Sequence, residues 1–301
     1  MKVFLTGATG FVGGHLLERL LADGHSVRAL VRDAQSAQLP ANPGLEPVQG
    51  DVISGVGLAQ AMQGCNAVIH LVGIIVESGK NTFENVHHLG TRNVVQAALQ
   101  NKIARFVQMS ALGVRADGVS EYQTSKWKGE EAVRLSGLEY CILRPSLIFG
   151  PGDGFVTQML GIMRKAPLMR PVPGDGHPKF RPVFVDDVAV CFSQALTNPA
   201  TTNQIIELGG AEELTLNQVL TEIAQCAGIR KRAVHVPMPI MFAAASVAQV
   251  ILPRPPVTTG QLRMLQEGST CDVLRMKQIF GLNPIGFRDG LRRYICAGFQ
   301  V

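Results

Sequence analysis

The chain has 301 residues, 46% of them hydrophobic and 17% charged, with a net charge of +5. This suits one large domain with a substantial core plus a smaller appended region. The mild charge, without a dense Lys/Arg run, argues against nucleic-acid binding, and seven scattered histidines and six unpaired-looking cysteines argue against a metal centre or a disulfide framework.

Lys2-Val3-Phe4-Leu5-Thr6 reads as a short buried strand running straight into Gly7-Ala8-Thr9-Gly10-Phe11-Val12-Gly13. An amphipathic helix is predicted from Phe11 to Ala22. A strand, a glycine turn and a helix start make a dinucleotide diphosphate site. Gly7 permits the turn, Gly10 lets backbone N–H groups approach the diphosphate, and Gly13 lets helix and strand pack closely. Thr9, Phe11 and Val12 complete the expected cofactor-binding loop. The spacing G-x-x-G-x-x-G departs from G-x-G-x-x-G, so the signal lies in its strand–turn–helix context.

A second strand, Ser26–Val31, ends in Val31-Arg32 where an NAD site carries Asp or Glu for the ribose hydroxyl. Arg32 suits a 2′-phosphate, so NADP(H) is the expected cofactor; Asp33, one residue on, keeps NAD(H) as the alternative. A third strand, Glu46–Gln49, precedes Gly50-Asp51-Val52. There Asp51 either accepts from the adenine amino group or simply makes a turn, with Val52 beside it. A fourth strand, Asn66–Leu71, ends in Leu71-Val72-Gly73, where a small residue lets the cofactor cross the sheet.

A helix is predicted over Phe83–Gln100, a strand over Arg105–Met109, a helix over Tyr122–Ser136 and a strand over Glu139–Arg144. Such alternation predicts an α/β, Rossmann-type doubly wound parallel sheet, with ligands beyond the carboxyl ends of its strands. Tyr122 and Lys126 share one helix face, and an ammonium beside a phenol lowers the tyrosine pKa. Tyrosine then exchanges the proton that accompanies hydride transfer, while lysine holds ribose hydroxyls. Ser110, ending the fifth strand, either holds a substrate oxygen or satisfies local backbone.

After Arg144, prolines and glycines crowd the chain. Residues 1–150 are expected to form the dinucleotide domain, with 183–203 returning to it. Residues 151–182 and 204–301 are expected to form a smaller, discontinuous substrate lobe. Phe180–Val185 reads as a strand, Asp186–Thr197 as a helix, Gln204–Leu208 as a strand, and Thr215 as the N-cap of a helix to Cys226. The uncharged run 236–252 leaves about thirteen residues for a helix, too few to span a bilayer. It reads as a buried helix, or as an apolar wall or membrane contact flanked by Arg230-Lys231-Arg232 and Arg254. The first strand starts at residue 2, so no leader is expected, and a cytoplasmic location follows.

Together these residues resemble the short-chain dehydrogenase/reductase superfamily in its extended or atypical branch. The likeness rests on Gly7/Gly10/Gly13, Gly50-Asp51, His70-Leu71-Val72-Gly73, Gly90-Thr91, Ser110, Tyr122/Lys126, Arg144-Pro145-Ser146 through Gly152-Asp153, and Val185-Asp186-Asp187. It implies that Pro145 and Ser146 line the nicotinamide and that Lys126 binds its ribose. Val86-His87-His88-Leu89-Gly90-Thr91, with His87 where sugar-nucleotide epimerases show Asn, is similar to the nucleotide-binding accessory subunit of respiratory complex I and its bacterial relatives. Ser110-Ala111-Leu112-Gly113 and the tail Pro256 to Leu262 share that likeness. Ala111 stands where extended enzymes place their Ser or Thr. Three functions follow as expectations: an NADP(H) oxidoreductase acting on a carbonyl, alcohol or quinone-like apolar substrate; an NADPH-holding accessory or assembly factor of a membrane complex; and a sugar-nucleotide epimerase or dehydratase.

Overall fold

The computed structural model describes residues 1–33, 37–252 and 255–295. Arg254 and Cys296 lie outside the described residues. In chain order the first part runs β1 (Lys2–Thr6), α1 (Phe11–Ala22), β2 (Ser26–Val31), β3 (Leu45–Gln49), α2 (Leu58–Ala61) and β4 (Ala67–His70). A π-helical segment (Glu84–Leu89) leads directly into α3 (Gly90–Gln100), followed by β5 (Arg105–Met109), α4 (Glu121–Arg134) and β6 (Glu139–Pro145). Then come β7 (Ile148–Phe149), α5 (Gly154–Lys165), β8 (Met169–Pro173), β9 (Lys179–Phe180), β10 (Val183–Phe184) and α6 (Val185–Ala195). The remainder is β11 (Gln204–Leu208), β12 (Leu214–Thr215), α7 (Leu216–Cys226), β13 (Arg232–Val236), α8 (Met238–Ile251), α9 (Thr259–Glu267), α10 (Leu274–Phe280) and α11 (Phe287–Tyr294).

Seven strands form one parallel sheet in the order β11-β6-β5-β4-β1-β2-β3. The order reverses at β1, where Thr6 lies beside His70 of β4 on one side and Leu30 of β2 on the other. Crossover connections put helices on both faces, which is why the central strands β1 and β4 are almost wholly buried, while β3 at the edge is largely exposed. Phe4, Val68, Phe106 and Ile142 pack with Met62, Val94, Ala98 and Val133 in one core layer. On the opposite layer α1 packs against α6. His15 and Asp186 meet there at 2.7 Å, and the Ser193 hydroxyl donates to Asp23 at 2.5 Å.

The chain divides into two compact units: residues 1–145, 185–208 and 274–282, and residues 146–184, 209–273 and 283–301. Residues 146–150 and 183–184, expected in the dinucleotide domain, fall in the second unit, and two further segments move the other way. β11 joins the main sheet beside β6, register Gln204 to Cys141, rather than the smaller lobe. The buried Arg105 guanidinium draws this return, donating to the Ala195 carbonyl and the Thr201 hydroxyl. The stretch 274–282 follows it, through the Asn198 amide bond to Ile279 O at 2.9 Å and the Arg275 contact with Gln204.

The second unit has its own core, in which Phe149, Val172, Phe180, Phe184, Val219, Ile223, Phe287 and Leu291 cluster. Its helices are capped locally. Asp153 accepts from Val156 N at 2.6 Å, and Thr215 with Gln218, and Thr258 with Gln261, form reciprocal capping boxes. The expected strand 180–185 is split, because Pro182 supplies no N–H for a continuous ladder. The expected burial of the 236–252 helix is also corrected: α8 buries only Ala245. Its inward side is limited to one stripe, and nothing among the described residues covers the other. Among the described residues no helix is long and apolar enough to cross a membrane. Cys65, Cys141 and Cys191 are buried, Cys226 and Cys271 are half-buried, and none of these five forms a disulfide among the described residues.

Candidate active site

The glycine loop joins β1 to α1 at the point where the strand order reverses. Gly7 has φ +82°, a left-handed conformation that favours glycine, and its N-terminal position turns the chain off the strand. A Cβ on Gly13 would lie 1.9 Å from Gly7 O, so helix and loop touch backbone to backbone. Gly10 is the N-cap of α1 and provides no side-chain bond, and the first turn has no acidic residue. The N–H groups of the first turn have no intrahelical partners and are free for an anion. Thr9 and Gly10 are exposed, Phe11 is half-buried and Val12 is buried. A Cβ on Gly7 would sit 3.2 Å from Leu71 Cβ and 3.3 Å from Val72 N. The ends of β1 and β4 therefore form one cradle, which fits a dinucleotide.

Arg32 is exposed at the end of β2 and makes no hydrogen bond or ion pair among the described residues. Asp51 Oδ1 accepts from Ile53 N at 3.0 Å, and its other oxygen lies 3.6 Å from Lys80 Nζ. Its side chain thus makes the local turn. Val52 is buried in the core layer. Pro145 ends β6 in the first unit; Ser146 begins the second unit, where its hydroxyl donates to Ser269 O at 2.7 Å.

Tyr122 and Lys126 lie on α4, which Ser120 starts by accepting from Gln123 N at 3.3 Å. Lys126 Nζ stands 5.8 Å from the centre of the Tyr122 ring and donates to Met109 O at 3.0 Å. Burial lowers the Lys126 pKa to about 8, partly opposed by Glu130 one turn on. Glu130 is itself paired with Arg144 of β6 at 2.8 and 2.6 Å. A Cβ on Gly73 would lie 3.4 Å from Lys126 Nζ and 3.5 Å from His87 Nε2. The small residue in the loop after β4 therefore opens the space before the lysine. Ser110, next to the carbonyl that Lys126 holds, is buried, and its hydroxyl has no hydrogen-bond partner among the described residues.

The expected lowering of the Tyr122 pKa is overturned. Loss of hydration raises it. The Tyr122 ring packs edge-on against His87 at 5.3 Å and Phe83 at 6.1 Å between centres, while the ammonium is committed to a main-chain oxygen. In this arrangement Tyr122 is a neutral phenol, a proton donor.

Beneath it lies a buried polar chain that sequence reasoning did not assemble. His87 Nε2 accepts from Ile74 N at 3.0 Å, so the proton sits on Nδ1, which donates to Ser125 Oγ at 2.9 Å. Ser125 donates in turn to Tyr122 O at 3.0 Å. Thr91 donates to His87 O at 2.7 Å, so His70 Nε2 donates to Thr91 at 3.1 Å and His70 Nδ1 accepts from Thr6 at 2.7 Å. The π-helical segment supplies His87, and α4 packs so close that a Cβ on Gly129 would lie 2.3 Å from His87 O. The one available signal was the pairing of His70 and His87 with Gly90-Thr91. Among the described residues no His, Cys, Asp and Glu group suits a metal ion.

Burial, with the Lys126 charge next, pushes the pKa of His70 to about 3 and of His87 to about 2, from 6.5. Between those values the unfolded chain binds more protons than the folded one, so stability falls as pH drops below ~6.5 and goes on falling to roughly pH 2–3. Going from neutral pH to about pH 4.5 is expected to cost roughly 2 kcal/mol for each histidine. Urea unfolding across this range checks it. His87→Asn should flatten the slope by nearly one proton, and an unchanged slope would refute the assignment.

The NAD(P)H-binding family profile matches residues 7–158, half of the chain. The chain belongs to the extended short-chain dehydrogenase/reductase family. A second profile, the RmlD substrate binding domain, matches residues 115–295. A ceramide reductase of Caulobacter vibrioides is 30% identical over 81% of this chain and 76% of its own length. A mitochondrial NADH dehydrogenase [ubiquinone] 1 alpha subcomplex subunit 9 of Arabidopsis thaliana is 29% identical over 80% of this chain, but over only 61% of its own length. Among solved structures, the UDP-glucose 4-epimerase of Thermotoga maritima superposes with a TM-score of 0.76, covering 99% of this chain and 98% of that one at 19% identity. That likeness speaks for the fold. Members of this reductase and epimerase family bind NAD(P), and the glycine cradle fits that cofactor.

Proposed function

We propose that this chain is an NADP(H)-dependent reductase of a carbonyl carried by an apolar, lipid-like or quinone-like molecule. The observation that carries the reading is the neutral Tyr122 phenol beside Lys126, in front of Gly73. A bound nicotinamide supplies or accepts hydride. Tyr122 then donates a proton to the carbonyl oxygen, Lys126 holds ribose hydroxyls, and Ser110 offers its unsatisfied hydroxyl to the same oxygen. A phenol kept protonated favours reduction over the oxidation that opens an epimerase cycle. Ala111 and His87, in place of that branch's usual residues, point the same way. Immediately after Gly73, Ile75 and Val76 are exposed by 58% and 37%, an apolar margin suited to an apolar substrate. The ceramide reductase likeness agrees with it.

A second reading, an NADPH-holding accessory factor of a membrane complex, is favoured by Ala111 and by the complex I likeness. The test is an NADPH oxidation assay against long-chain ketones, quinones and UDP-sugars. Turnover of the apolar carbonyls supports the reductase. Tight NADPH binding with no turnover transfers support to the holding role, and interconversion of UDP-sugars overturns both.

The choice of NADP(H) rests on Arg32. Arg32→Ala should weaken NADPH about tenfold and leave NADH unchanged, read by calorimetry. Equal effects on both, or none, would remove the 2′-phosphate assignment.

A further inference from the structure

We propose that the second unit carries a docking surface for an anionic phospholipid bilayer, made of the outward stripe of α8 and the basic end of the β8–β13 ribbon. This goes beyond the reductase reading and does not depend on it. Ile240, Ala243, Ala244, Val247, Val250 and Ile251 are all exposed, Val250 by 87%. Their spacing places them on one helix face. The opposite face, Met241, Phe242, Ala245 and Ala248, is turned inward. A helix apolar on both sides has its second side made for an apolar environment.

The neighbouring ribbon adds charge. β13 pairs with β8, Arg232 beside Met169, and runs directly into α8. Lys231 Nζ donates to Met163 O at 2.9 Å and Arg164 O at 3.0 Å, which ties the start of β13 to the end of α5. Arg164, Lys165, Arg230 and Arg232 are therefore gathered there, all exposed, around Leu168, which is 77% exposed, and Met169. β13 spans roughly 13–17 Å, so this cluster lies close to the start of the helix. The two segments that build the surface, 154–174 and 223–266, contain no Asp or Glu. One-signed charge beside an aliphatic stripe matches an interface of acidic headgroups over acyl chains. A second copy would bring like charges to like, and the stripe has no tyrosine or tryptophan to anchor a protein partner.

The full chain is to be sedimented with sucrose-loaded vesicles of phosphatidylcholine, with and without one part in three of phosphatidylglycerol. Binding to the anionic vesicles is expected, weaker at high salt and slight without phosphatidylglycerol. The pairs Val250→Glu with Ile251→Glu, and Arg230→Glu with Arg232→Glu, should each lower it about tenfold or more while NADPH binding stays intact. Absence of binding to either vesicle overturns the proposal, as does equal binding to both. A dimer in sedimentation equilibrium that Val250→Glu dissociates, without vesicle binding, assigns the surface to a second copy and overturns it as well.

Discussion

Tyr122→Phe should lower the rate of carbonyl reduction by about 10²–10⁴-fold while NADPH affinity stays within twofold, roughly the range expected for losing a positioned proton donor. The physical basis is local. The ring makes T-shaped contacts with His87 and Phe83, which a phenylalanine ring retains. The hydroxyl has no hydrogen-bond partner among the described residues, so its removal leaves nothing orphaned. Stability should therefore stay within about 0.5 kcal/mol of wild type. Stopped-flow measurement of nicotinamide oxidation separates the steps: a binding phase unchanged and a hydride phase collapsed. A variant that reduces its substrate at the wild-type rate would remove Tyr122 from the chemistry and leave the holding role standing.

Gly13→Ala should all but abolish cofactor binding, weakening NADPH by about 100-fold or more. The added carbon would fall 1.9 Å from Gly7 O and under 3 Å from the carbonyl carbons of Gly7 and Ala8. These are backbone atoms of the glycine loop, not the far end of a flexible side chain, so the loop and helix must separate to admit the methyl group. The start of α1 must then move away from the diphosphate position, at a cost of about 2–4 kcal/mol in stability. Gly14→Ala is the internal control. Nothing lies within 4 Å of its added carbon, so NADPH binding should be unchanged and α1 stabilised by up to about 1 kcal/mol. Calorimetry and urea unfolding of the two variants check this, and similar behaviour of the pair would contradict the close approach at Gly13.

The parts legible in the sequence are those in which a side chain acts through its own backbone. The first strand and helix, Ser26–Val31, Gln204–Leu208 and the helix capped by Thr215 have the bounds that periodicity and caps predict. The Tyr122 and Lys126 pair lies on one helix face because four residues are about one turn. The less legible parts depend on partners remote in sequence. Arg105 calls β11 back from far along the chain, and no local pattern announces it. The acidity of Tyr122 depends on where the Lys126 ammonium points, and a main-chain carbonyl claims it. The 236–252 run looks like core because composition cannot tell a helix covered by protein from one left facing outward. The sheet and its glycine turn were readable; the hydrogen-bonded chain from Thr6 to Tyr122 required five separate elements to meet.

The wide turn at Glu84–Leu89 governs what faces the space under α4. A π turn is what an α-helix becomes on accepting one surplus residue. Gly90 N reaches back to Asn85 O, five positions instead of four. The surplus rotates the helix surface before it by about 100°, the angle of one residue. In this register the His87 imidazole accepts from Ile74 N. The register of this wide turn thus decides which buried hydrogen-bonding group lies beneath Tyr122, while α3 beyond it continues as an ordinary helix.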